Sequence, residues 1–177
     1  MYVLTTQNRL LLRSAASTAV QRVTAHIGGD QLDRGAYYRL FALLDLRIGI
    51  RSLVEYDRGW VGGKSNTERI NMYKVLAFEK AVRLALNAKL FNHIASAQSA
   101  NDANGQFQGA ILVPAAIPEF GDMHLLLSVS GLRADGDECS GLLALKTLKW
   151  CAAPDLLNLA RQTKNELYRE LAGASVH

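Results

Sequence analysis

Residues 108–149 read QGAILVPAAIPEFGDMHLLLSVSGLRADGDECSGLLALKTLK. Within this stretch Ile111 to Ile117 and His124 to Val129 are strand-like apolar runs, separated by Pro118-Glu119-Phe120-Gly121-Asp122, the composition of a turn. Two such runs across a short Pro/Gly break predict a β-hairpin. Ser130-Gly131 ends the second run, and Asp135, Asp137 and Glu138 follow it. Three acids at this point place negative charge at the positive end of a helix predicted from Cys139 to Trp150, so Asp137 and Glu138 read most simply as partners of the helix dipole.

Outward from the hairpin the periodicity changes repeatedly, as in an α+β chain. Asn101-Asp102-Ala103-Asn104-Gly105 is the clearest loop, and Lys89 to Ala100 continues as a second short helix. Ahead of it, Ser65-Asn66-Thr67-Glu68 has the form of a capping box and opens the longest helix, Thr67 to about Asn87. That helix is apolar on most faces (Ile70, Tyr73, Leu76, Phe78, Val82, Leu84), with Arg69, Lys74, Lys80 and Arg83 as its main charges. Such a helix is central or lies at a subunit interface. Arg47 to Tyr56 alternates as a strand does, Asp57-Arg58-Gly59 is a turn and Gly62-Gly63 ends the pairing. Tyr37 to Leu46 fits either a strand or a short helix. The first helix carries Leu10, Leu11, Ala15, Ala19 and Val23 at helical spacing with its arginines outward. Pro154 opens a last amphipathic helix to about Leu171, of a kind that packs on a partner copy. The expectation is one compact α+β domain over residues 1–177: an antiparallel sheet packed against several helices, with a C-terminal amphipathic helix.

Composition narrows the class. The chain has 177 residues, 49% of them hydrophobic, enough for one well-cored domain. Its 20 basic and 16 acidic residues give a net charge of +4 without a run of five like charges. That is a mildly basic surface, and it argues against a dedicated nucleic-acid binder. Acid-poor residues 1–29 carry Arg9, Arg13 and Arg22 in the manner of a transit peptide, but their helical periodicity reads as an amphipathic first helix. No stretch approaches 18 uninterrupted apolar residues, which argues against a membrane span. Cys139 and Cys151 lie twelve positions apart on or just after one helix, about 18 Å at 1.5 Å per residue, too far for a disulfide. Reduced thiols in a cytoplasmic protein follow.

No motif names a reaction. Asp57 to Ser65 is glycine-rich, yet a phosphate-binding loop needs glycine six places before its lysine, and position 58 is arginine. Gly63, Lys64 and Ser65 ahead of a helix remain as an anion site, beside the simpler reading of a hairpin turn. His26, His93, His124 and His177 show no metal-ligand spacing, so metal ligands are not assigned, and each is more simply structural or on the surface. Cys139 at a helix start has no histidine base near it in sequence and reads as buried and inert.

A lysine-bearing helix, a hairpin and an S-G…D-E-C helix start together resemble the GlcG/HbpS-like family. Asn71-Met72-Tyr73-Lys74-Val75-Leu76-Ala77 is similar to its K-A-Y-T-A-like helix and Leu112-Val113-Pro114 to its G-G-V-P-I-like strand. Leu127-Ser128-Val129-Ser130-Gly131 and Asp137-Glu138-Cys139 resemble its G-A-I-G-V-S-G strand and D-E-A-like helix start. The similarity covers about half the chain and departs at the glycine pair before the proline and in the first third. It implies a small oligomeric α+β protein that binds haem, corrinoid or another small ligand, through Lys74, Pro114, His124, Gly131, Asp137 and Glu138, without catalysis of its own. The cofactor itself is not specified.

Three functional expectations result. A small-ligand-binding protein predicts a concave pocket lined by Lys74, Pro114 and His124. An oligomeric interaction or regulatory protein, whose basic face meets an anionic partner, predicts a flat apolar face on the helices. An enzyme with a dispersed site predicts converging titratable groups such as Lys64, Lys74, His124 and Asp137.

Overall fold

The computed structural model describes residues 4–45, 51–64, 66–117 and 120–173. Their order is α1 (Thr6–Ile27), β1 (Gly35–Asp45), β2 (Arg51–Gly62), α2 (Thr67–Phe91), β3 (Ala110–Ile117), β4 (Gly121–Ser130), α3 (Ala134–Leu148), α4 (Ala153–Gln162) and α5 (Glu166–Gly173). The strands form one antiparallel sheet in the order β2-β1-β4-β3. The second hairpin thus returns beside the first strand after α2 has crossed between them, and the fold is α+β.

Side chains alternate across the sheet. On one face Tyr38, Leu40 and Ala42 of β1 and Leu125, Leu127 and Val129 of β4 join the main core with α1 and α3, which pack side by side, and with α4 and α5. On the other face Phe41, Leu43, Leu112 and Leu126 meet Ala81, Leu84 and Ala88 of α2. Both faces are covered, which is why β3 and β4 read as unbroken apolar runs rather than alternating ones. The two runs pair as a hairpin from Ala110↔Ser128 to Ile117↔Gly121, so Gly121 and Asp122, read as turn, belong to β4; Pro118 and Glu119 lie outside the described residues.

Tyr37 to Asp45 is strand, paired on both sides, which resolves the strand-or-helix ambiguity there; Leu46 and Arg47 to Ile50 lie outside the described residues. Asp57-Arg58-Gly59 is not a turn but part of β2, opposite Leu40, Arg39 and Tyr38. The turn-forming residues serve another purpose there. Asp57 Oδ2 accepts a 2.7 Å hydrogen bond from the Tyr38 hydroxyl, and a Cβ on Gly59 would lie 3.0 Å from the Arg13 guanidinium. Burial and the adjacent carboxylate hold the Tyr38 hydroxyl well above its ordinary pKa.

The helix ends differ from their sequence reading. In α1 the buried stripe is Leu12, Ala15, Ala16, Ala19, Val20 and Val23, whereas Leu10 and Leu11 face solvent. The N-cap of α2 is Asn66, whose side chain accepts from Arg69 N at 2.9 Å; Ser65 lies outside the described residues. That helix runs on to Phe91, so Lys89 to Ala100 holds its last turn and a 3-10 turn at Ser96–Ser99 rather than a second helix. The predicted last helix is two: a left-handed Lys164 (φ 57°) breaks it between α4 and α5, and Leu156, Leu159, Leu167 and Leu171 are buried in their own chain rather than left for a partner. Helix α3 begins five residues before Cys139, which brings Asp135 and Asp137 into its first turn. Cys139 and Cys151 are free and buried; burial pushes the Cys139 thiol far up and the Cys151 thiol up to about 12. Among the described residues, no helix is long and apolar enough to cross a membrane.

Candidate functional site

The sequence listed Lys80 only as one of the main charges of α2; it is 1% exposed and lies on the sheet-facing side with Ala77, Ala81 and Leu84. Its ammonium donates to Asp137 Oδ2 at 2.8 Å, to the Val129 carbonyl at 3.0 Å and to Ser130 Oγ at 3.3 Å, which uses all three of its protons. Asp137 is 3% exposed, and its Oδ1 accepts from Leu132 N at 2.8 Å. Burial pushes the Asp137 carboxyl up to about 6, a rise that Lys80 and the amides of Leu132 and Gly131 hold back. The ion pair therefore ties α2, the end of β4 and the start of α3 at one point. Gly109 makes the approach possible: with φ +132°, a Cβ there would lie 2.8 Å from Asp137 Cβ and 2.9 Å from Lys80 Nζ.

Over this pair sits a cavity of about 290 Å³. Its walls are Met72, Tyr73 and Leu76 of α2, Phe107 of the connector and Leu132 and Ala134 before and at the start of α3, and Ser130, Gly131, Lys80 and Asp137 supply its polar part. Phe107 is held in place by Arg83, whose guanidinium donates to the Phe107 carbonyl at 2.5 Å and to the carbonyls of Ser96 and Ser99 at 3.0 Å each. An apolar cavity with a few converging polar groups is the usual form of a small-molecule site.

The residues picked out in sequence do not share one site. Gly131 and Asp137 meet in this cavity. Lys74 does not; it is exposed, and six positions from Lys80 it lies about 120° around the helix. Pro114 and His124 are cross-strand partners at the far end of β4, about 20 Å from Ser130 at 3.3 Å per residue. They line two other cavities, of about 230 Å³ with His93 and of about 360 Å³ with Trp150. Glu138 leaves α3 in a different direction from Asp137: its Oε1 accepts from Thr163 Oγ1 at 2.5 Å and Asn165 Nδ2 at 3.1 Å, which fixes the α4–α5 corner. Reading Asp137 and Glu138 as simple dipole partners is thus corrected, since each is buried against specific groups. Gly63 packs so closely on the Asp33 carbonyl that a Cβ would lie 1.8 Å from its oxygen, a structural reason for that glycine. Lys64 lines a narrow cleft with Arg34, Trp60, Arg69, Tyr73 and Gly131, while Ser65 lies outside the described residues. Among the described residues, no group of three or more His, Cys, Asp and Glu is placed to hold a metal ion.

Lys80 escaped the sequence reading although a signal was present. A lysine flanked at i−3, i+1 and i+4 by Ala77, Ala81 and Leu84 interrupts the buried stripe of its own helix, and a buried lysine requires an acidic partner.

The outer face of α2 is inverted with respect to an ordinary surface helix. Small residues face the sheet, while Met72, Val75, Phe78, Leu86, Leu90 and Phe91 are 45–68% exposed. Val75, Val82, Leu86 and Leu90 fall within about 80° of one another at 100° per residue, forming one stripe. No protein-family model matches this chain, and no curated protein matches it.

Proposed function

We propose that this chain is a small-ligand-binding protein of the GlcG/HbpS-like kind and that its ligand occupies the cavity above Lys80 and Asp137. One observation carries the reading: the lysine of the long helix, Ser130-Gly131 and Asp137, which lie as many as 57 positions apart in the chain, converge on one cavity. The lysine that does so is Lys80, followed by Ala81, rather than Lys74. At about 290 Å³ the cavity is at the lower edge of the roughly 300–1,000 Å³ of ligand sites, which favours a small organic molecule over an enclosed haem or corrinoid. Two buried free thiols are in keeping with a cytoplasmic setting. Native mass spectrometry and an absorbance spectrum of freshly purified protein test this. A bound mass of a few hundred daltons is expected; an apo species that takes up no added small organic molecule would remove the reading.

The stripe on α2 supports a second, compatible reading, self-association. Six large side chains at this exposure make a patch on the order of 500 Å², at the upper end of the roughly 300–600 Å² of a monomer's largest patch. Two such faces meeting would supply most of the about 800 Å² per partner of a standard interface. Light scattering at micromolar concentration should therefore give twice the chain mass of 19.4 kDa. Leu86→Lys should return the monomer while changing the melting temperature of the fold by only a few degrees, because Leu86 already faces solvent. A wild-type monomer at these concentrations would count against the dimer.

A further inference from the structure

We propose that the ligand of this cavity is an amphipathic anion: an apolar body of about eight carbon atoms lying over Leu76 and Phe107, with a carboxylate directed towards Lys64 and Arg69. The proposal rests on the ligand-binding reading and names the ligand class.

Two cavities share a wall. Tyr73 and Gly131 line both the 290 Å³ cavity and the cleft bordered by Arg34, Lys64 and Arg69, so a molecule lying in the first reaches the second past the Tyr73 ring. That ring is held by stacking on Trp60, with centroids 6.2 Å apart and planes at 21°, and Trp60 is anchored in turn by its indole N–H, which donates to the Gly63 carbonyl at 3.0 Å. The cleft measures about 10 Å³, the room of a single water-sized group, which suits the oxygen of a head group and excludes a bulky one.

The two ends differ in what they leave unsatisfied. At the cavity floor Lys80 and Asp137 neutralise each other and their hydrogen bonds are internal, so the floor offers no free charge to a ligand. At the cleft, Arg34 is engaged by Asp30 at 2.7 Å. Lys64 and Arg69 make no side-chain hydrogen bond or ion pair with any described residue, so two positive charges border the cleft without a partner. A neutral floor, apolar walls and a cationic rim select one apolar body and one negative head.

Isothermal titration with octanoate and with octan-1-ol tests the class, on wild type, on K64E/R69E and on Ala134→Phe, which fills the cavity from a half-buried position. Octanoate should bind the wild type at least about tenfold more tightly than octan-1-ol. K64E/R69E should lose that preference while retaining octan-1-ol, and Ala134→Phe should lose both. Equal binding of the two probes, unaffected by K64E/R69E but abolished by Ala134→Phe, would overturn the anionic class and leave the ligand site standing. Failure of both probes to bind, on protein that purifies apo, would overturn the site as well.

Discussion

Lys80→Ala is expected to destabilise the fold by about 3–5 kcal/mol, a large part of what a domain of this size holds in reserve, because it strands Asp137 as an unpaired buried charge. Lys80 is 1% exposed and Asp137 3%, so water entering from the cavity above replaces the lost ammonium only in part. Lys80→Met combined with Asp137→Leu should recover part of the loss, since an apolar pair of similar volume needs no charge compensation but leaves the Val129 carbonyl and the Leu132 amide without these partners. Urea denaturation of Lys80→Met, of Asp137→Leu and of the double variant gives the coupling directly; additive losses would mean that the pair does not act as a unit.

The same pair sets a pH dependence. With the Asp137 carboxyl pushed up to about 6 from an ordinary 3.8, the folded chain takes up this proton before the unfolded chain does. The stability gained is complete below about pH 4 and is lost as pH rises through 6. Glu138, also raised by burial, contributes in the same direction. Asp137→Asn should therefore shrink the fall in unfolding free energy between pH 4 and 7 without abolishing it. An unchanged fall would place the Asp137 carboxyl at its ordinary pKa.

Gly109→Ala is the second large effect, at about 2–6 kcal/mol. Its φ of +132° is strained for any L side chain, at a cost of about 1–3 kcal/mol. The added methyl would lie 2.6 Å from the Val129 carbonyl oxygen and 2.8 Å from Asp137 Cβ. Relieving that contact shifts the start of β3 or the ion pair, for about 1–3 kcal/mol more. Gly105→Ala is the milder reference, because Gly105 has a left-handed φ of +68° with nothing within 4 Å and should cost only about 1–2 kcal/mol. Equal losses at both positions would show that neither the φ of +132° nor the crowding around Lys80 adds to that cost.

Much of the fold was legible because it is written locally. The β3–β4 hairpin, the long α2 and the helix after Ser130-Gly131 follow from apolar runs, turn residues and capping groups within a few positions of one another. Local signals failed where a residue answered to something distant. Asp57 and Gly59 carry turn chemistry, but Tyr38, nineteen positions from Asp57, uses the first as a hydrogen-bond acceptor, and the Arg13 guanidinium lies close beside the second. Lys164 and Asn165 break a continuous apolar stripe into α4 and α5 because Glu138 and the Asp135 carbonyl take the Asn165 amide.

The candidate site divides in the same way. Gly131 and Asp137 stood out because they end a strand and open a helix, positions whose chemistry is visible in one dimension. Lys80 did not, because burial depends on which side of α2 faces the sheet, and its flanking Ala77, Ala81 and Leu84 are a weaker signal than the competing apolar face of Val75, Leu86 and Leu90. By itself the sequence determined most element types, the pairing of β3 with β4 as a hairpin and the α+β class, all set by interactions over a few residues. Only the tertiary structure decided which charges are buried, which apolar face stays outside and which distant segments enclose a cavity, since each of these depends on pairings between residues about fifty positions apart.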